Sequence, residues 1–357
     1  MSDFSRRLIE WQKRHGRHDL PWQRDWERLR DPYRVWLSEI MLQQTQVATV
    51  IPYYERFTTS FPDLAALAAA PVEEIMGLWS GLGYYARARN LHRCAKIVME
   101  HHGGKFPADA KTIAGLPGIG RSTANAIAVF CFGARLPILD GNVKRLLCRA
   151  CHIEGFPGTA AVEKELWRLA EMLLPQKNVG TYIQAQMDLG ATVCLRGSPA
   201  CLTAPEKCPL SDICFARLEG RTHELPAKRP AKALPERELR VLLLRHGDSI
   251  LLEQRPPTGI WGSLLSLPEL PDGSDATAHA AKLGYRLTGL RELPPMKHSF
   301  THFRLTLRPL LCDATPSAQA VCDGISMRWL EAEALAQAAL PAPIRRLLES
   351  VFNLQGR

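Results

Sequence analysis

Two architectures are expected from this chain of 357 residues: an all-α region over residues 1–218 and an α+β domain over residues 238–357. Three features predict the division. From Phe4 to Leu218, apolar residues recur at three- and four-residue spacings, the period of amphipathic helices. Pro226-Ala-Lys-Arg-Pro230 and Pro235 then interrupt any regular element, which marks 219–237 as a linker. Beyond it, Arg240-Val-Leu-Leu-Leu-Arg245 and Ser249-Ile-Leu-Leu-Glu-Gln254 are short apolar runs separated by His246-Gly-Asp248, a strand–turn–strand signal.

Local signals place the elements in order. Asp31-Pro32 reads as a helix start, since Asp caps free N–H groups and Pro fits the first turn; the helix then runs from Tyr33 to Leu42. Amphipathic segments follow over Leu91–His102, Ala161–Leu174 and Tyr182–Leu189. In the second part, His302–Arg308 alternates like a half-buried strand, and Thr277–Leu283 and Ile344–Phe352 have helical spacing.

With 46% hydrophobic residues, a chain of this length can bury two cores. Met1 to Leu20 is polar and broken by charge, and no apolar run is long enough for a membrane span. The expectation is a cytoplasmic protein with no membrane partner. Residues 1–230 carry 30 Lys/Arg against 23 Asp/Glu, and residues 231–357 carry 15 against 13. That excess suits a polyanionic partner through phosphate contacts, and suits an ordinary basic enzyme equally well.

Leu116-Pro-Gly-Ile-Gly120 followed by Arg121-Ser-Thr-Ala is a Gly-rich turn between two helical patterns, about 107–133. Gly118 and Gly120 permit positive φ and close backbone approach, and the helix that follows presents free N–H groups. This is the physics of a helix–hairpin–helix gripping a DNA phosphate; it is also compatible with a plain tight turn. Glu39 lies among Val35, Trp36, Leu37, Ile40, Met41 and Leu42, on or beside an apolar face, where desolvation raises a carboxyl's pKa and keeps a proton available. Asp140, in Leu139-Asp-Gly-Asn-Val-Lys-Arg145, precedes another helical pattern and reads as an N-cap or as an ionised partner to Glu39. Cleaving an N-glycosidic bond needs such a division, acid on the departing base and negative charge beside the sugar cation.

Trp36-Leu-Ser-Glu-Ile-Met-Leu-Gln-Gln-Thr-Gln46, Gly81-Leu-Gly-Tyr-Tyr-Ala-Arg-Ala-Arg89, Leu116–Gly120 and Leu139–Arg145 resemble, in order, the helix–hairpin–helix glycosylases of the MutY adenine-excising family. The resemblance implies roles residue by residue. Glu39 corresponds to the general acid, Asp140 to the carboxylate steadying the sugar, and Asn142 to its helper. Trp22, Gln23, Gln184 and Ser122 correspond to the adenine pocket. Gln44 and Tyr84, with Thr45 and Leu82 close by, correspond to the wedge beside oxidised guanine; Gly118, Gly120 and Lys144 join them as DNA contacts. Ser122 stands where related bifunctional enzymes carry a Lys nucleophile, so base excision without strand cleavage is expected. The implied partner is double-stranded DNA with adenine opposite 8-oxoguanine or guanine, bound by a monomer.

Cys194, Cys201, Cys208 and Cys214 resemble the family's 4Fe–4S loop over 194–214 at both outer spacings. Six residues, Leu202 to Lys207, separate the middle pair where the family has two; lengthening a loop costs little closure entropy, so four thiolates can still converge. Zinc on the same thiolates is the rival. Residues 238–357 resemble the family's Nudix-like domain through Gln254-Arg-Pro-Pro-Thr-Gly-Ile-Trp-Gly262 and Phe300-Thr-His302, without the acidic array for pyrophosphate hydrolysis. Phe300, Thr301 and His302 correspond to the 8-oxoguanine-recognition loop, with Thr where the family has Ser. Two other functions stay open: a bifunctional endonuclease III-like glycosylase and abasic-site lyase, against which Ser122 and the extra domain argue, and a non-catalytic DNA-binding relative, against which Glu39 and Asp140 argue.

Overall fold

The computed structural model describes residues 2–23, 31–230, 233–317 and 326–352; residues 231 and 232 of the expected linker lie outside that set. Two compact units form, and they do not follow chain order. One joins Met1–Ala69 to Arg93–Ala231, the other Ala70–His92 to Lys232–Arg357.

The first unit is helical. Its chain begins with α1 (Asp3–His15), α2 (Pro32–Leu42), α3 (Val47–Ser60) and α4 (Leu64–Ala69). α5 (Val72–Trp79) belongs to the second unit, and α6 (Ala86–His101) crosses back. α7 (Ala110–Ala114), α8 (Arg121–Phe132), α9 (Gly141–Ala150), α10 (Ala160–Met172), α11 (Val179–Thr192) and α12 (Phe215–Leu218) complete it. The start of α2 is chemical: the Asp31 side chain accepts from the Tyr33 N–H at 2.9 Å, with Pro32 in the first turn. The inner face of α2 is then fully buried at Trp36, Leu37 and Met41, each contributing about 1.5–3 kcal/mol. Among the described residues, no helix is long and apolar enough to cross a membrane.

α7 and α8 form the hairpin. Asp109 caps α7 through the Thr112 N–H at 2.8 Å, and Leu116 and Ile119 bury the turn against the unit. Gly118 takes φ +78°, the left-handed value that favours glycine. Gly120 corrects the sequence expectation: its φ is −88°, extended backbone that any residue adopts. A Cβ built there meets no atom within 4 Å, so neither strain nor packing in the chain itself demands glycine. The extended segment after α8 is held by two side chains of that helix. Ser122 Oγ accepts from the Leu139 N–H at 3.0 Å, and Asn125 Nδ2 donates to the Pro137 carbonyl at 2.7 Å.

Among the described residues, the second unit contains an eight-stranded sheet. Its strands are β1 (Glu236–His246), β2 (Ser249–Gln254), β3 (Leu265–Ser266), β4 (Glu269–Leu270), β5 (Tyr285–Glu292), β6 (Met296–Ser299), β7 (Arg304–Pro316) and β8 (Met327–Glu331). The main order is β3-β2-β1-β7-β5, with β1 and β7 parallel. Their register is matched by ion pairs, Arg245 with Asp313 at 2.7 Å and Arg308 with Glu238 at 2.9 Å. Leu242, Leu244, Leu251, Leu310 and Cys312 pack with Ala276 and Ala280 of α13 (Ala276–Lys282); α14 (Ala342–Val351) ends the described fold. β7 starts at Arg304, two residues later than the alternating pattern suggested, because the Phe300 N–H closes a turn on the Phe303 carbonyl at 2.9 Å.

The loop between α5 and α6 is fixed inside this second unit. Ser80 Oγ donates to the Leu340 carbonyl at 3.2 Å, and Arg89 Nη1 donates to the Gly262 carbonyl at 2.7 Å. Those bonds explain why residues 70–92 group with the C-terminal sheet.

Candidate active site

Glu39 sits on α2 and lines a cavity that is open to solvent. Trp22, Ser38, Gln184 and Arg17 share its wall with the apolar Leu20, Leu42, Phe130 and Met187. Among the described residues, no donor is seen on the Glu39 carboxyl. Burial, and secondarily the charge of Asp140, push its pKa up to about 8. The two carboxyls therefore share one electrostatic environment.

Asp140 reaches that environment as the N-cap of α9. Its Oδ1 accepts from the Val143 N–H at 2.8 Å, and its Oδ2 accepts from Asn142 Nδ2 at 3.2 Å. Burial raises its pKa, while those two bonds and the nearby Arg145 charge act in the opposite direction. The readings of Asp140 as a cap and as a partner of Glu39 thus coincide in one side chain. Arg145 braces the arrangement: its Nη2 donates to Asn142 Oδ1 at 2.8 Å and to the Gly190 carbonyl at 2.6 Å.

Behind the cavity wall lies Asp188 of α11, with no exposed surface. It accepts from Gln12, Arg17 and Gln184, and its ion pair with Arg17 closes to 2.6 Å. α11 can lie this close to α9 because residue 190 is glycine. A Cβ there would come within 2.5 Å of Asn142 Cβ.

Of the residues singled out from the sequence, Glu39, Trp22 and Gln184 line one cavity, and Asp140, bonded to Asn142, acts on Glu39 through its charge; Arg17, Arg145, Asp188 and Gly190 were not singled out. Asp188 carried a readable signal, a lone carboxylate in the apolar helix stretch Ala185-Gln-Met-Asp-Leu-Gly190, which is the same signal that singled out Glu39. Gln23 is buried beside Trp22, its Oε1 without a partner among the described residues. Ser122 is not among the cavity-lining residues and spends its Oγ on the Leu139 backbone. Lys144 is paired with Glu163 at 2.8 Å.

The remaining candidates lie on turns. Gln44 is exposed at φ +57°, and Thr45 Oγ1 donates to the Gln43 carbonyl. In the second unit, Tyr84 is 46% exposed at φ +50°, whereas Leu82 is buried. Arg87, buried beneath this turn, donates to the Gly83 carbonyl and lies 5.4 Å from the Tyr84 ring centroid. Phe300 stacks on Phe303 with centroids 4.4 Å apart, and Thr301 and His302 are exposed beside it.

Cys194, Cys201 and Cys208 are buried and Cys214 is half-buried. The Cys201 and Cys208 thiols are within hydrogen-bonding reach of one another. Arg149, itself buried, points Nη1 at Cys194 Sγ (3.3 Å) and, among the described residues, otherwise meets only backbone carbonyls, those of Leu195, Arg196 and Leu225. Among the described residues, no group of three or more His, Cys, Asp or Glu is arranged to hold a metal ion.

A helical hairpin, and a cavity-lining carboxyl whose proton is held by burial and by the charge of a second carboxyl, are the features that a base-excision class of protein requires, and the comparisons place the chain in that class. Residues 37–172 match the HhH-GPD superfamily of base excision DNA repair proteins, and residues 240–350 match a NUDIX domain. The chain belongs to the adenine DNA glycosylase family. It is 34% identical to an adenine DNA glycosylase of Buchnera aphidicola subsp. Acyrthosiphon pisum, covering 97% of each chain. It is also 34% identical to the adenine DNA glycosylase of Homo sapiens, over 96% of this chain and 73% of the human one. Among solved structures, a thermostable thymine-DNA glycosylase superposes with a TM-score of 0.51 at 28% identity, over 60% of this chain and 95% of that one.

Proposed function

We propose that this family member excises adenine lying opposite 8-oxoguanine or guanine in duplex DNA, as a monofunctional glycosylase. The observation that carries the mechanism is the pairing of Glu39, held protonated to about pH 8, with the capped and hydrogen-bonded Asp140. Glu39 gives its proton to the ring of an extruded adenine and then assists water. Asp140, whose charged form is favoured by its bonds from Val143 and Asn142 and by the nearby Arg145, faces the oxocarbenium-like sugar, with Asn142 and Arg145 fixing its position. Trp22, Gln23 and Gln184 receive the base.

Around this centre, the hairpin at Gly118 and Gly120 takes a phosphate; the open space at Gly120 leaves room for it. Gln44 in the helical unit and, in the other unit, Tyr84 each contact the unstacked duplex, with Thr45 and Leu82 shaping their respective turns, and Lys144 adds a backbone contact. Phe300, Thr301 and His302 receive the 8-oxoguanine. The protein acts as a monomer in the cytoplasm.

Four thiols in one loop, beside a buried guanidinium whose single side-chain partner among the described residues is Cys194 Sγ, fit an anionic iron–sulfur group. Cys194, Cys201, Cys208 and Cys214 would hold a 4Fe–4S cluster, which supplies structural cross-linking of the loop and takes no part in bond cleavage.

Single-turnover assays on duplexes with adenine opposite 8-oxoguanine, guanine and thymine test this reading. Release is expected opposite the first two and not opposite thymine, with strand breaks appearing only after alkali. Strand cleavage before alkali would instead support the bifunctional lyase.

A further inference from the structure

We propose that α1 is the external brace of the lengthened cysteine loop: Trp11 and Arg7 hold the limb that carries Cys208, and retention of the cluster in this chain depends on them. The proposal rests on the reading that Cys194, Cys201, Cys208 and Cys214 hold an iron–sulfur group.

Six residues separate Cys201 from Cys208. Seven steps of extended chain would span about 25 Å, yet the two thiols lie within hydrogen-bonding reach of one another. The stretch folds back through two short 3₁₀ turns, Ala200–Leu202 and Pro205–Lys207. Backbone bonds close them: the Ala204 N–H donates to the Ala200 carbonyl at 2.9 Å, and the Cys208 N–H to the Pro205 carbonyl at 3.1 Å. Such short turns have poor hydrogen-bond geometry and little stability of their own. Nor does a core hold them. Cys201 and Cys208 are buried, but Leu202 to Lys207 are exposed except for the half-buried Ala204. A segment with few buried contacts opens locally at little cost, and a metal ligand at its end moves with it.

What fixes the stretch lies outside it. Trp11 of α1, itself buried, donates its indole N–H to the carbonyl of Lys207, the residue directly before Cys208, at 3.1 Å. An indole N–H is a donor only, so this bond satisfies both groups. Arg7, one turn earlier on the same helix, donates to the Pro209 carbonyl at 3.3 Å and pairs with Asp212 at 2.6 Å. α1 thus grips the chain on both sides of Cys208. Beyond that cysteine Leu210 is buried as well, so the exposed stretch before it leans hardest on Trp11. The other limbs are held elsewhere. Arg149 takes the Leu195 and Arg196 carbonyls after Cys194, and Arg217 takes the Cys201 carbonyl at 3.3 Å.

The test follows iron release to a ferrous-iron chelator from the full-length protein purified anaerobically. Trp11→Phe keeps an aromatic ring in place but removes the N–H, and iron release should become about three- to ten-fold faster. Trypsin should also cut faster after Lys207, because the carbonyl it attacks is the one Trp11 holds. Arg7→Met should speed iron release by about two-fold, since its ion pair lies near the surface. Arg6→Met, whose partners Asp3 and Glu10 lie on α1 itself, should release iron at the wild-type rate. A wild-type rate of iron release or of cleavage after Lys207 in Trp11→Phe would overturn the proposal. So would an Arg6→Met rate as fast as that of Trp11→Phe, which marks a general loosening of α1. Should Trp11→Phe not fold, Arg7→Met decides, and a wild-type rate there overturns the proposal. Failure of the underlying cluster reading looks different: the anaerobically purified wild type would contain neither iron nor acid-labile sulfide.

Discussion

Glu39 in the helical unit and Glu253 in the sheet unit are both carboxyls whose pKa is raised chiefly by burial. Their surroundings differ. Glu253 lies 2.5 Å from Arg255, which also reaches Glu269, so its charge is met inside the sheet domain. Glu39 has the like charge of Asp140 nearby and a cavity in front. One unit compensates its buried acid and gains register and rigidity; the other leaves its acid uncompensated and keeps a transferable proton. Burial alone does not make a catalytic group. What decides is whether the fold supplies the counter-charge.

Removing the acid should have the largest effect. Glu39→Gln is expected to slow single-turnover adenine release by about 10²–10⁴-fold while duplex binding persists. In the wild type, kcat/KM should fall as pH rises through about 8, where Glu39 loses its proton, and the residual rate of the variant should not follow that fall. The same shift has a stability counterpart. Because the folded pKa is raised, the Glu39 contribution is fully present below the ordinary carboxylate range and is lost as pH rises through about 8. Chemical denaturation of Glu39→Gln across that window should lack this loss.

The compensated site can be broken from the other side. Arg255→Met strands Glu253 without its cation and should destabilise the sheet unit by about 3 kcal/mol, read as a lowered melting transition. The defect should deepen as pH rises, since the unpaired carboxylate must then be buried ionised or the unit must open. A melting temperature equal to wild type would erase the contrast between the two acids.

A smaller effect is expected at Gly190→Ala. The added methyl meets Asn142 Cβ at 2.5 Å, so α9 and α11 must part; a loss of about 1–3 kcal/mol follows, together with slower excision as Asn142 and Asp140 shift. Unchanged kinetics with lowered stability would separate helix packing from the placement of Asp140.

Where an argument stayed within a few residues, the sequence was a sufficient guide. The Asp31 cap and Pro32 fix the start of α2 because capping acts between neighbours, and the apolar period around Glu39 is a property of the helix itself. Strands β1 and β2 were legible for the same reason. The Gly120 backbone was misjudged, because glycine is equally compatible with a strained turn and with an open surface.

The sequence by itself determined the helical character of the first part, strands β1 and β2 of the second, where the hairpin falls, and that one carboxyl would sit on a greasy face. Tertiary structure decided the rest. Apart from Gln184, the Asp188 donors come from α1 and the loop after it, more than 170 positions away in sequence; Leu139 finds Ser122 across a whole helix; and residues 70–92 join a sheet that begins at Glu236. Such contacts depend on which surfaces meet once both chains of neighbours are buried, and no local period or cap encodes that meeting.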